Sequence, residues 1–292
     1  MKKELQFRIY ENRKYFYIVS TVLIVVSIIS LLFQGLNQGI DFQSGTLMDM
    51  KFDSDSVSME QVRRVLADYG LENSSITQDG EGAYVIKSLE IDEDTQMQIR
   101  ESFLEELGGF EMKRVDSVGP VVGKELTQNA IIALSIASAL MLIYISVRFQ
   151  WKFAIAAILC LIHDSFIMLG FFSVFRFEVE SSFIAAVLTI IGYSINNTIV
   201  VFDRVRENMK LHRKWTGVEL VNNSINQTLI RSINLAMTVT LVLLTLIILG
   251  GKTTRVFAIA LMVGNVAGFY SSVFISGNLW MELKPNGVKT HG

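Results

Sequence analysis

The sequence predicts a polytopic α-helical membrane protein with six transmembrane helices and one extracytoplasmic α+β domain between spans one and two. Three observations predict this class: the mean hydropathy is +0.42, only 18% of the 292 residues are charged, and six long stretches are almost wholly apolar. A soluble domain usually carries about a quarter charged residues. The composition therefore excludes a disordered chain and a nucleic-acid-binding chain, and the single cysteine, Cys160, excludes an internal disulfide.

Each apolar stretch approaches the roughly 20 residues that a helix needs to cross a bilayer. The basic residues before the first stretch are also typical of a signal peptide, but residues 34–38 lack the small-x-small pattern of a cleavage site. We therefore expect span one to be an uncleaved anchor. The six predicted spans are Phe16–Phe33, Leu126–Val147, Phe153–Phe175, Phe183–Phe202, Ile233–Leu249 and Val256–Trp280.

Basic residues beside the spans predict the orientation, because positively charged loops are retained in the cytoplasm. Fifteen Lys and Arg lie in the two tails, after span two and between residues 204 and 231, whereas the opposite short loops hold three, Arg176, Lys252 and Arg255. Both termini are therefore expected in the cytoplasm. The predicted parts are residues 1–34 (cytoplasmic tail and first span), 35–125 (extracytoplasmic domain), 126–281 (five-helix bundle with a cytoplasmic segment, 203–231) and 282–292 (cytoplasmic tail).

The extracytoplasmic segment differs in charge from the rest of the chain. Residues 35–125 hold nineteen Asp and Glu against eight Lys and Arg, a net charge of −11, whereas the remainder carries +9. Solubility of the domain is the simpler explanation of this acidity, and contact with another polypeptide is the alternative.

The same segment alternates strand and helix patterns. Met48, Met50 and Phe52 alternate with polar residues, which is typical of a half-buried strand. The predicted order β-α-β-β-α-β is that of a ferredoxin-like domain. Its later elements are a helix over 62–69, strands at Ser75–Gln78 and Ala83–Leu89 around the turn 79–82, a helix over 99–107 and a strand from Phe110.

The cytoplasmic segment 203–231 is polar and basic with interspersed apolar residues. Two structures fit this pattern equally: a helix lying at the membrane surface, or a solvated hairpin of two helix ends.

Span three contains His163 and Asp164, and an ionisable side chain in hydrocarbon normally faces other helices or a water-filled path. Adjacent residues point about 100° apart on a helix, so both can reach one cavity. One interpretation is a proton or ion relay, since His titrates near neutral pH. The other is an interhelical hydrogen-bonding pair that fixes packing.

Span four carries polar or small residues at one helical face: Thr189, Gly192, Tyr193, Asn196 and Asn197. Such a face suits the lining of a hydrated path, and equally an amide contact that holds helices together. Neither Asn can carry a proton.

Arg231 begins span five. Its sequence position fits a positive-inside anchor whose guanidinium reaches the interface, or a permanent cation that tunes a carboxylate on a neighbouring helix. Span six has small residues at every fourth position, which predicts close helix packing at Gly264 and Gly268. The sequence contains no metalloprotease pair, Walker loop, nucleophile elbow or Cys/His metal cluster, so we expect neither an enzyme nor a metal or cofactor site.

Four blocks of sequence carry a resemblance to a known family: 39–46, 118–126, 162–164 and 188–208, together with the stretch 226–233. The chain resembles the SecD/SecF family of bacterial protein-export membrane subunits, and within that family its SecF members. It resembles the resistance-nodulation-division transporters more distantly. The motif positions within the blocks are Gly39, Asp41, Gly119, Pro120, Gly123, Gly192, Asp203 and Arg204.

The resemblance implies a multi-pass protein of the bacterial inner membrane that pairs with SecD and uses proton entry to help draw an exported polypeptide from the SecYEG channel. A YajC-like accessory subunit is a further implied partner, and nucleic acid is not one. The family's intramembrane arginine falls on Arg231. The implied proton path then comprises Arg231, Asp164, His163, Asn196 and Asn197.

Two positions depart from the family pattern. Asn197 stands where the family usually has Asp, so a proton carrier must be Asp164 or a carboxylate on SecD. Ser44 stands where glycine is usual, and we expect little effect because Ser tolerates most turns that do not need a positive φ. Two other classes stay open: a stand-alone proton-coupled exporter of a small molecule or lipid, and a scaffold subunit without proton coupling.

Overall fold

The computed structural model describes residues 7–54, 56–79 and 82–283. The first six residues, two residues of the predicted turn at 79–82 and the predicted tail from residue 284 lie outside that range. The chain divides into a membrane unit, formed by residues 1–37 and 132–292, and a second unit, Gln38–Ile131. The boundary falls later than the predicted residue 125 because one helix, Pro120–Arg148, belongs to both units.

The elements follow in chain order. The helices are α1 (Arg13–Gln34), α2 (Ile40–Gln43), α3 (Met59–Ala67), α4 (Glu93–Leu107), α5 (Pro120–Arg148), α6 (Trp151–Val174), α7 (Ser181–Leu211), α8 (Gly217–Leu249), α9 (Lys252–Tyr270) and α10 (Ser276–Glu282). The strands are β1 (Asn37–Gln38), β2 (Gly45–Phe52), β3 (Ser75–Gln78), β4 (Tyr84–Ser88), β5 (Phe110–Val118) and β6 (Glu178–Val179).

Six helices of the described chain are long and apolar enough to cross a membrane: α1, α5, α6, α7, α8, and the continuous run of α9 and α10. This confirms the six predicted spans and a multi-pass membrane protein. α6, α7 and the last helix form the centre, with about half of each apolar stretch buried, whereas α1, α5 and α8 are mostly exposed. Hydrocarbon-facing helices need no apolar partner inside the protein, since lipid solvates them.

Close backbone approach between α7 and α9 follows the small residues of span six. A Cβ at Gly264 would overlap the Ile190 side chain, and one at Gly268 would lie 3.0 Å from Ser194 Cβ. Glycine therefore sets the separation of these two helices at both levels.

The last span is interrupted by a π-helical turn, Ser271–Ile275, between α9 and α10. The Ser276 N–H bonds the Ser271 carbonyl, five residues back, which defines the wider turn. π-turns inside helices are frequent at functional sites.

The segment 203–231 is a hairpin formed by the end of α7 and the start of α8, so the single helix at the membrane surface is the wrong alternative. Asn208 on α7 is buried and donates to Ser224 Oγ on α8 at 2.8 Å, and to Gln227 Oε1 at 2.9 Å. α8 begins at a capping box between Thr216 and Glu219. These contacts hold the two helices antiparallel beyond their apolar parts.

The second unit is built on an antiparallel sheet of order β3-β4-β2-β5. Apolar residues from alternate positions of β2 and from α3 and α4 form its core, which centres on Met48, Met50, Val62, Ile99 and Phe103. The strand and helix order of this unit, β2-α3-β3-β4-α4-β5, agrees with the pattern predicted from residues 45–118.

The backbone conformation of Ser44 differs from the one predicted for this unit. Its backbone has φ +64° and ψ 161°, a conformation that favours glycine, so the expectation that the turn needs no positive φ is wrong. Gly45 follows with φ +135°, and a Cβ there would overlap the Ser88 carbonyl.

Candidate functional site

The buried polar cluster of the membrane unit lies around His163 and Asp164 on α6. Asp164 is fully buried and His163 is 5% exposed. The two side chains contact each other directly, with His163 Nδ1 2.8 Å from Asp164 Oδ1. The adjacent positions on α6 therefore serve one site.

Three further helical segments supply hydroxyl groups to this pair. Ser194 on α7 donates to Asp164 Oδ2 at 2.5 Å, and Ser271 in the π-helical turn donates to the same oxygen at 2.8 Å. Ser20 on α1 lies with its Oγ 3.0 Å from His163 Nε2. All three serines are buried, so the carboxylate and the imidazole contact hydroxyl groups in the interior of the membrane unit.

The hydrogen bonds around the pair determine which ring nitrogen of His163 donates and which accepts. With Asp164 ionised, His163 donates Nδ1–H to Oδ1, and its Nε2 accepts from the Ser20 hydroxyl. A second proton on the imidazole makes Nε2 a donor to Ser20 and gives a neutral ion pair with Asp164. No Lys or Arg bonds Asp164 in the described part of the chain. The two carboxylate oxygens are instead held by hydrogen bonds with His163, Ser194 and Ser271.

Aromatic and polar neighbours close the cluster. The Tyr270 ring stacks on His163 with centroids 6.1 Å apart, and its hydroxyl donates to the Phe16 carbonyl at 2.8 Å. Next to Ser271, Ser272 Oγ lies 2.9 Å from Thr198 Oγ1 on α7. The polar surface of α7 toward the last span is therefore Ser194 and Thr198.

This surface differs from the predicted polar face of span four. Thr189 and Asn196 are exposed, and a Cβ at Gly192 would lie 3.8 Å from the Met141 side chain, whereas Asn197 is buried. The Asn197 amide lies beside the Tyr193 hydroxyl and makes no hydrogen bond to any other described residue. The predicted face is thus divided between two environments, and neither Asn contacts Asp164.

Arg231 is exposed on α8, remote from the hydrogen bonds of the buried cluster. It lines an open cavity of about 490 Å³ with Asn234 and Thr238 of the same helix, and it forms no ion pair within the described ranges. The contacts of Arg204 and Asn208 with Gln227 set the antiparallel register of α7 and α8. In that register Arg231 lies roughly one to two helical turns from the level of Asn196.

The remaining motif residues have contacts of their own. In the second unit, Ser44 Oγ lies 3.4 Å from the Gly119 carbonyl oxygen. A Cβ at Gly123 would lie 2.5 Å from the same Ser44 Oγ. Gly39 begins α2 and Pro120 begins α5, so the Gly39–Asp41 and Gly119–Gly123 motifs pack together around Ser44.

The motif residues Asp203 and Arg204 form ion pairs in the hairpin of α7 and α8. Asp203 lies 3.8 Å from Arg148 and 3.5 Å from Arg206, and Arg204 pairs with Glu207 at 2.7 Å. Because all these side chains are partly exposed, each pair contributes little to stability alone. Their geometry orients the ends of α5 and α7.

Sequence reasoning missed Ser20, Ser194, Ser271 and Tyr270. A serine in an apolar helix usually bonds the carbonyl one turn back, as Ser165 does with Leu161 at 2.9 Å. The one available signal was position: Ser194 lies within the 188–208 block, and Ser272 and Ser276 belong to the small-residue stripe beside Ser271.

Known proteins match this chain over nearly its whole length. Residues 99–286 match the family described as protein export membrane protein SecD/SecF, C-terminal, and residues 29–56 match the SecD/SecF GG motif. The protein translocase subunit SecF of Sebaldella termitidis is 41% identical, with 94% of this chain and 91% of that protein covered.

Longer relatives carry this sequence as one part. The protein translocase subunit SecDF of Bacillus subtilis is 42% identical over 95% of this chain and 38% of its own length. The crystal structure of SecDF, a translocon-associated membrane protein from Thermus thermophilus, superposes with a TM-score of 0.87 at 34% identity, over 98% of this chain and 40% of that one. This chain therefore spans about two fifths of the SecDF proteins that it matches.

The family match covers more than half of the chain, and the aligned SecF relative is similar from end to end. The chain therefore belongs to the SecD/SecF family of protein export membrane proteins.

Proposed function

We propose that the chain is the SecF half of a two-part unit that uses the proton gradient to assist late translocation of secreted polypeptides across the bacterial inner membrane. The observation that carries the proposal is the buried His163–Asp164 pair, held by hydroxyls from three other segments of the membrane unit. Intramembrane ionisable groups of this kind mark ion and proton pathways by default. The names of the SecF and SecDF relatives supply the transport role.

Pairing with SecD is the second element of the proposal. The SecDF relatives are more than twice as long as this chain, so they hold a further part in the same polypeptide. Arg231 supports the proposed pairing, because its guanidinium is exposed on a membrane helix and forms no ion pair with the described residues. A carboxylate on a SecD helix at that position would neutralise Arg231 and bring it into the proton path.

The proposed topology follows the charge distribution. Both termini lie in the cytoplasm, and the acidic unit Gln38–Ile131 is an extracytoplasmic domain of ferredoxin-like type. That domain would act on the polypeptide leaving the SecYEG channel, and a YajC-like subunit is a further partner. With Asn197 unable to take a proton, Asp164 and His163 are the carriers that this chain contributes.

Export in a strain depleted of its own subunit tests the proposal. Asp164→Asn should abolish the part of the export rate of a secreted reporter that depends on the proton gradient, because the variant cannot hold a negative charge for His163 to balance. Glu207→Gln is the matched control, since this carboxylate is exposed and pairs only with Arg204. Unchanged export and gradient dependence for Asp164→Asn, at normal membrane levels of the protein, would contradict proton coupling through this site.

A scaffold subunit without proton coupling is the second candidate, and Asn197 in place of the usual acid favours it. The two candidates differ at Arg231. Under the proton-coupled proposal, Arg231→Ala loses export while SecD still co-purifies with the chain. Normal export by that variant would favour the scaffold.

A further inference from the structure

Ser20 on α1 lies between the imidazole of the buried pair and a tyrosine of the last span. Its Oγ is 3.0 Å from His163 Nε2 on α6. On its other side is the hydroxyl of Tyr270 on α9, which donates to the Phe16 carbonyl at 2.8 Å. Phe16 precedes Ser20 by one helical turn, so this carbonyl and the serine hydroxyl lie on the same face of α1. Three helices therefore meet at one buried hydroxyl.

The packing of α1 on α6 fixes the position of the Ser20 oxygen. Ser30 Oγ lies 2.7 Å from Ser173 Oγ, and the residue numbers of this pair differ by 143, as do those of Ser20 and His163. The two helices therefore run parallel and keep one register between these levels. This register holds the Ser20 oxygen beside the imidazole, whereas its O–H bond can rotate toward different acceptors.

With a neutral imidazole, each hydroxyl of this group has one acceptor. His163 donates Nδ1–H to Asp164, so its Nε2 is an acceptor and receives the Ser20 hydroxyl proton. The Tyr270 hydroxyl donates to the Phe16 carbonyl. Neither hydroxyl proton then lies between the oxygens of Ser20 and Tyr270.

A second proton on the imidazole reverses the bond with Ser20. Nε2–H now donates to Ser20 Oγ, and the Ser20 hydroxyl needs another acceptor, because an unpaired buried donor is costly. The Phe16 carbonyl already receives the Tyr270 hydroxyl and, by the helical pattern, the Ser20 backbone N–H. The oxygen of Tyr270 is the acceptor that lies beside Ser20.

We propose that the Ser20 hydroxyl turns from His163 to Tyr270 when His163 takes up a proton, so that Ser20 and Tyr270 are positioning residues for the proton carrier. The protonated imidazole then begins a continuous chain of donors through Ser20 and Tyr270 to the Phe16 carbonyl, which joins α6, α1 and α9. Bonds in such a chain strengthen one another. Each hydroxyl keeps its own hydrogen, so the added proton stays on Nε2. The inference rests on the proposed function in one respect, that His163 takes up the proton.

The titratable groups packed around His163 come from α6, α9 and α1. Asp164 and Tyr270 contact the imidazole directly, and Cys160 and Tyr17 lie about one helical turn along α6 and α1. α7 and the π-helical turn contribute serine hydroxyls. Thiol and phenol groups are ordinarily neutral near pH 7. A titration of the ring near neutral pH therefore belongs to the pair of His163 and Asp164.

Histidine NMR of the full chain tests the proposal. The chain has three histidines, so a sample labelled with ¹³C-histidine in lipid nanodiscs gives three ring signals, and His163→Asn identifies the signal of the buried pair. We expect this signal to titrate in the wild-type chain. Tyr270→Phe keeps the stacked ring and removes the acceptor of the Ser20 hydroxyl in the protonated state. The midpoint should therefore fall by about one pH unit, an about tenfold weaker binding of the proton.

Ser20→Ala removes the partner of Nε2 in both states. The protonated state loses more, because hydrogen bonds of charged groups are the stronger ones, so the midpoint should again fall by about one pH unit. The double variant Ser20→Ala with Tyr270→Phe should have the midpoint of Ser20→Ala alone. Without the serine hydroxyl, the oxygen of Tyr270 has no donor to accept, and a residue that acts through another shows no separate effect.

Two control variants remove a hydroxyl elsewhere on α1. Ser27→Ala is matched to Ser20→Ala, because Ser27 is 5% exposed and its hydroxyl bonds the Leu23 carbonyl of its own helix at 2.8 Å. Tyr15→Phe is matched to Tyr270→Phe, since Tyr15 is 70% exposed. Both controls should keep the wild-type midpoint.

Three results would overturn the proposal, and they differ in what else they contradict. A His163 signal that does not titrate between about pH 5 and about pH 9 would contradict both the switch and proton uptake by this chain. Titration with the same midpoint in Tyr270→Phe and Tyr15→Phe would remove the switch and leave proton uptake standing. Additive shifts in the double variant would assign the effect of Tyr270 to a contact that does not pass through Ser20.

Discussion

The hydroxyl of Ser271 bonds the buried carboxylate of Asp164 at 2.8 Å, and Ser271 is also the first residue of the π-helical turn in the last span. The same residue therefore contacts the ionisable pair and begins the irregular part of a helix. Its carbonyl accepts the Ser276 N–H of the π-turn and lies 3.9 Å from Cys160 Sγ on α6. A change in the charge of Asp164 would act directly on this turn.

Ser271→Ala tests how much that contact contributes. Asp164 Oδ2 would keep only the Ser194 donor, and loss of a hydrogen bond to a charged, buried group costs about 2 kcal/mol. We expect a lower unfolding temperature of the purified chain in detergent, and a shifted pH profile of gradient-dependent export. If Ser271 had only a structural role, the substitution would lower the unfolding temperature and leave the pH profile of export unaltered.

Ser276→Ala is the control for Ser271→Ala. Ser276 is equally buried in the same span, but its hydroxyl bonds only the Ser272 carbonyl of its own helix, at 2.7 Å. We expect little change in either measurement for this variant. Equal effects of the two substitutions would contradict a specific role for the contact between Ser271 and Asp164.

Gly170 determines how closely α1 approaches α6. A Cβ at Gly170 would lie 2.7 Å from the Ser27 Cα and would overlap the Ser27 side chain. Gly170→Ala should therefore destabilise the membrane unit by about 2 kcal/mol through overpacking, measured by thermal unfolding in detergent. Ser27→Gly in the same chain should restore part of the loss. Gly192→Ala is the control, because its nearest neighbour would be 3.8 Å away.

Ser44→Gly should stabilise the second unit. Ser44 has φ +64° and ψ 161°, a conformation that costs a non-glycine residue on the order of 1–3 kcal/mol. Glycine removes this strain, but its greater chain entropy in the unfolded state offsets part of the gain. We expect a net gain of about 1 kcal/mol, seen as slower hydrogen exchange of the β2 amides in the full chain. Gly45→Ala should have the opposite effect, since its Cβ would overlap the Ser88 carbonyl. Faster exchange in Ser44→Gly would show that the hydroxyl contact outweighs the backbone strain.

Local patterns explain how much of this fold was predictable. Each span is a continuous apolar stretch, and Met48, Met50 and Phe52 of β2 alternate with polar residues, so both could be identified without knowing what they contact. The pair His163 and Asp164 was identified for the same reason, because charge in an apolar helix is visible in the sequence.

The rest depends on contacts between distant parts of the chain. Ser20 and Ser271 join the site only because α1 and the last span pack on α6, and an isolated serine is common in membrane helices. The face of α7 that meets Asp164 carries Ser194, whereas the more polar neighbouring face carries the exposed Asn196. Polarity alone did not identify Ser194, because the sequence does not show which face of α7 packs against α6 and the last span. The positive φ of Ser44 is likewise a property of the folded backbone that its residue type does not indicate.

Asp92 gives the second unit a local dependence on pH. It caps α4 by accepting the Thr95 N–H at 2.8 Å, and hydrogen bonds from the Thr95 side chain and backbone hold the pKa of Asp92 below its usual range. A carboxyl whose pKa is lower in the folded state stabilises the fold above its unfolded pKa of about 3.9, and this contribution is lost as the pH falls through the folded pKa. Protection of the α4 amides from hydrogen exchange, corrected for intrinsic rates, should therefore decrease below about pH 4.

Asp92→Asn isolates that effect, because an amide oxygen caps the helix at every pH. In this variant the protection of the α4 amides from hydrogen exchange should stay the same between about pH 6 and about pH 3, the interval in which protection of the wild-type helix should fall. α3 is the reference within the same molecule, since its capping box of Ser58 and Gln61 contains no titratable group. Parallel loss of protection in α3 and α4 of the wild-type chain would indicate general acid unfolding instead. An unchanged pH dependence in Asp92→Asn would assign the effect to another carboxylate of this acidic unit.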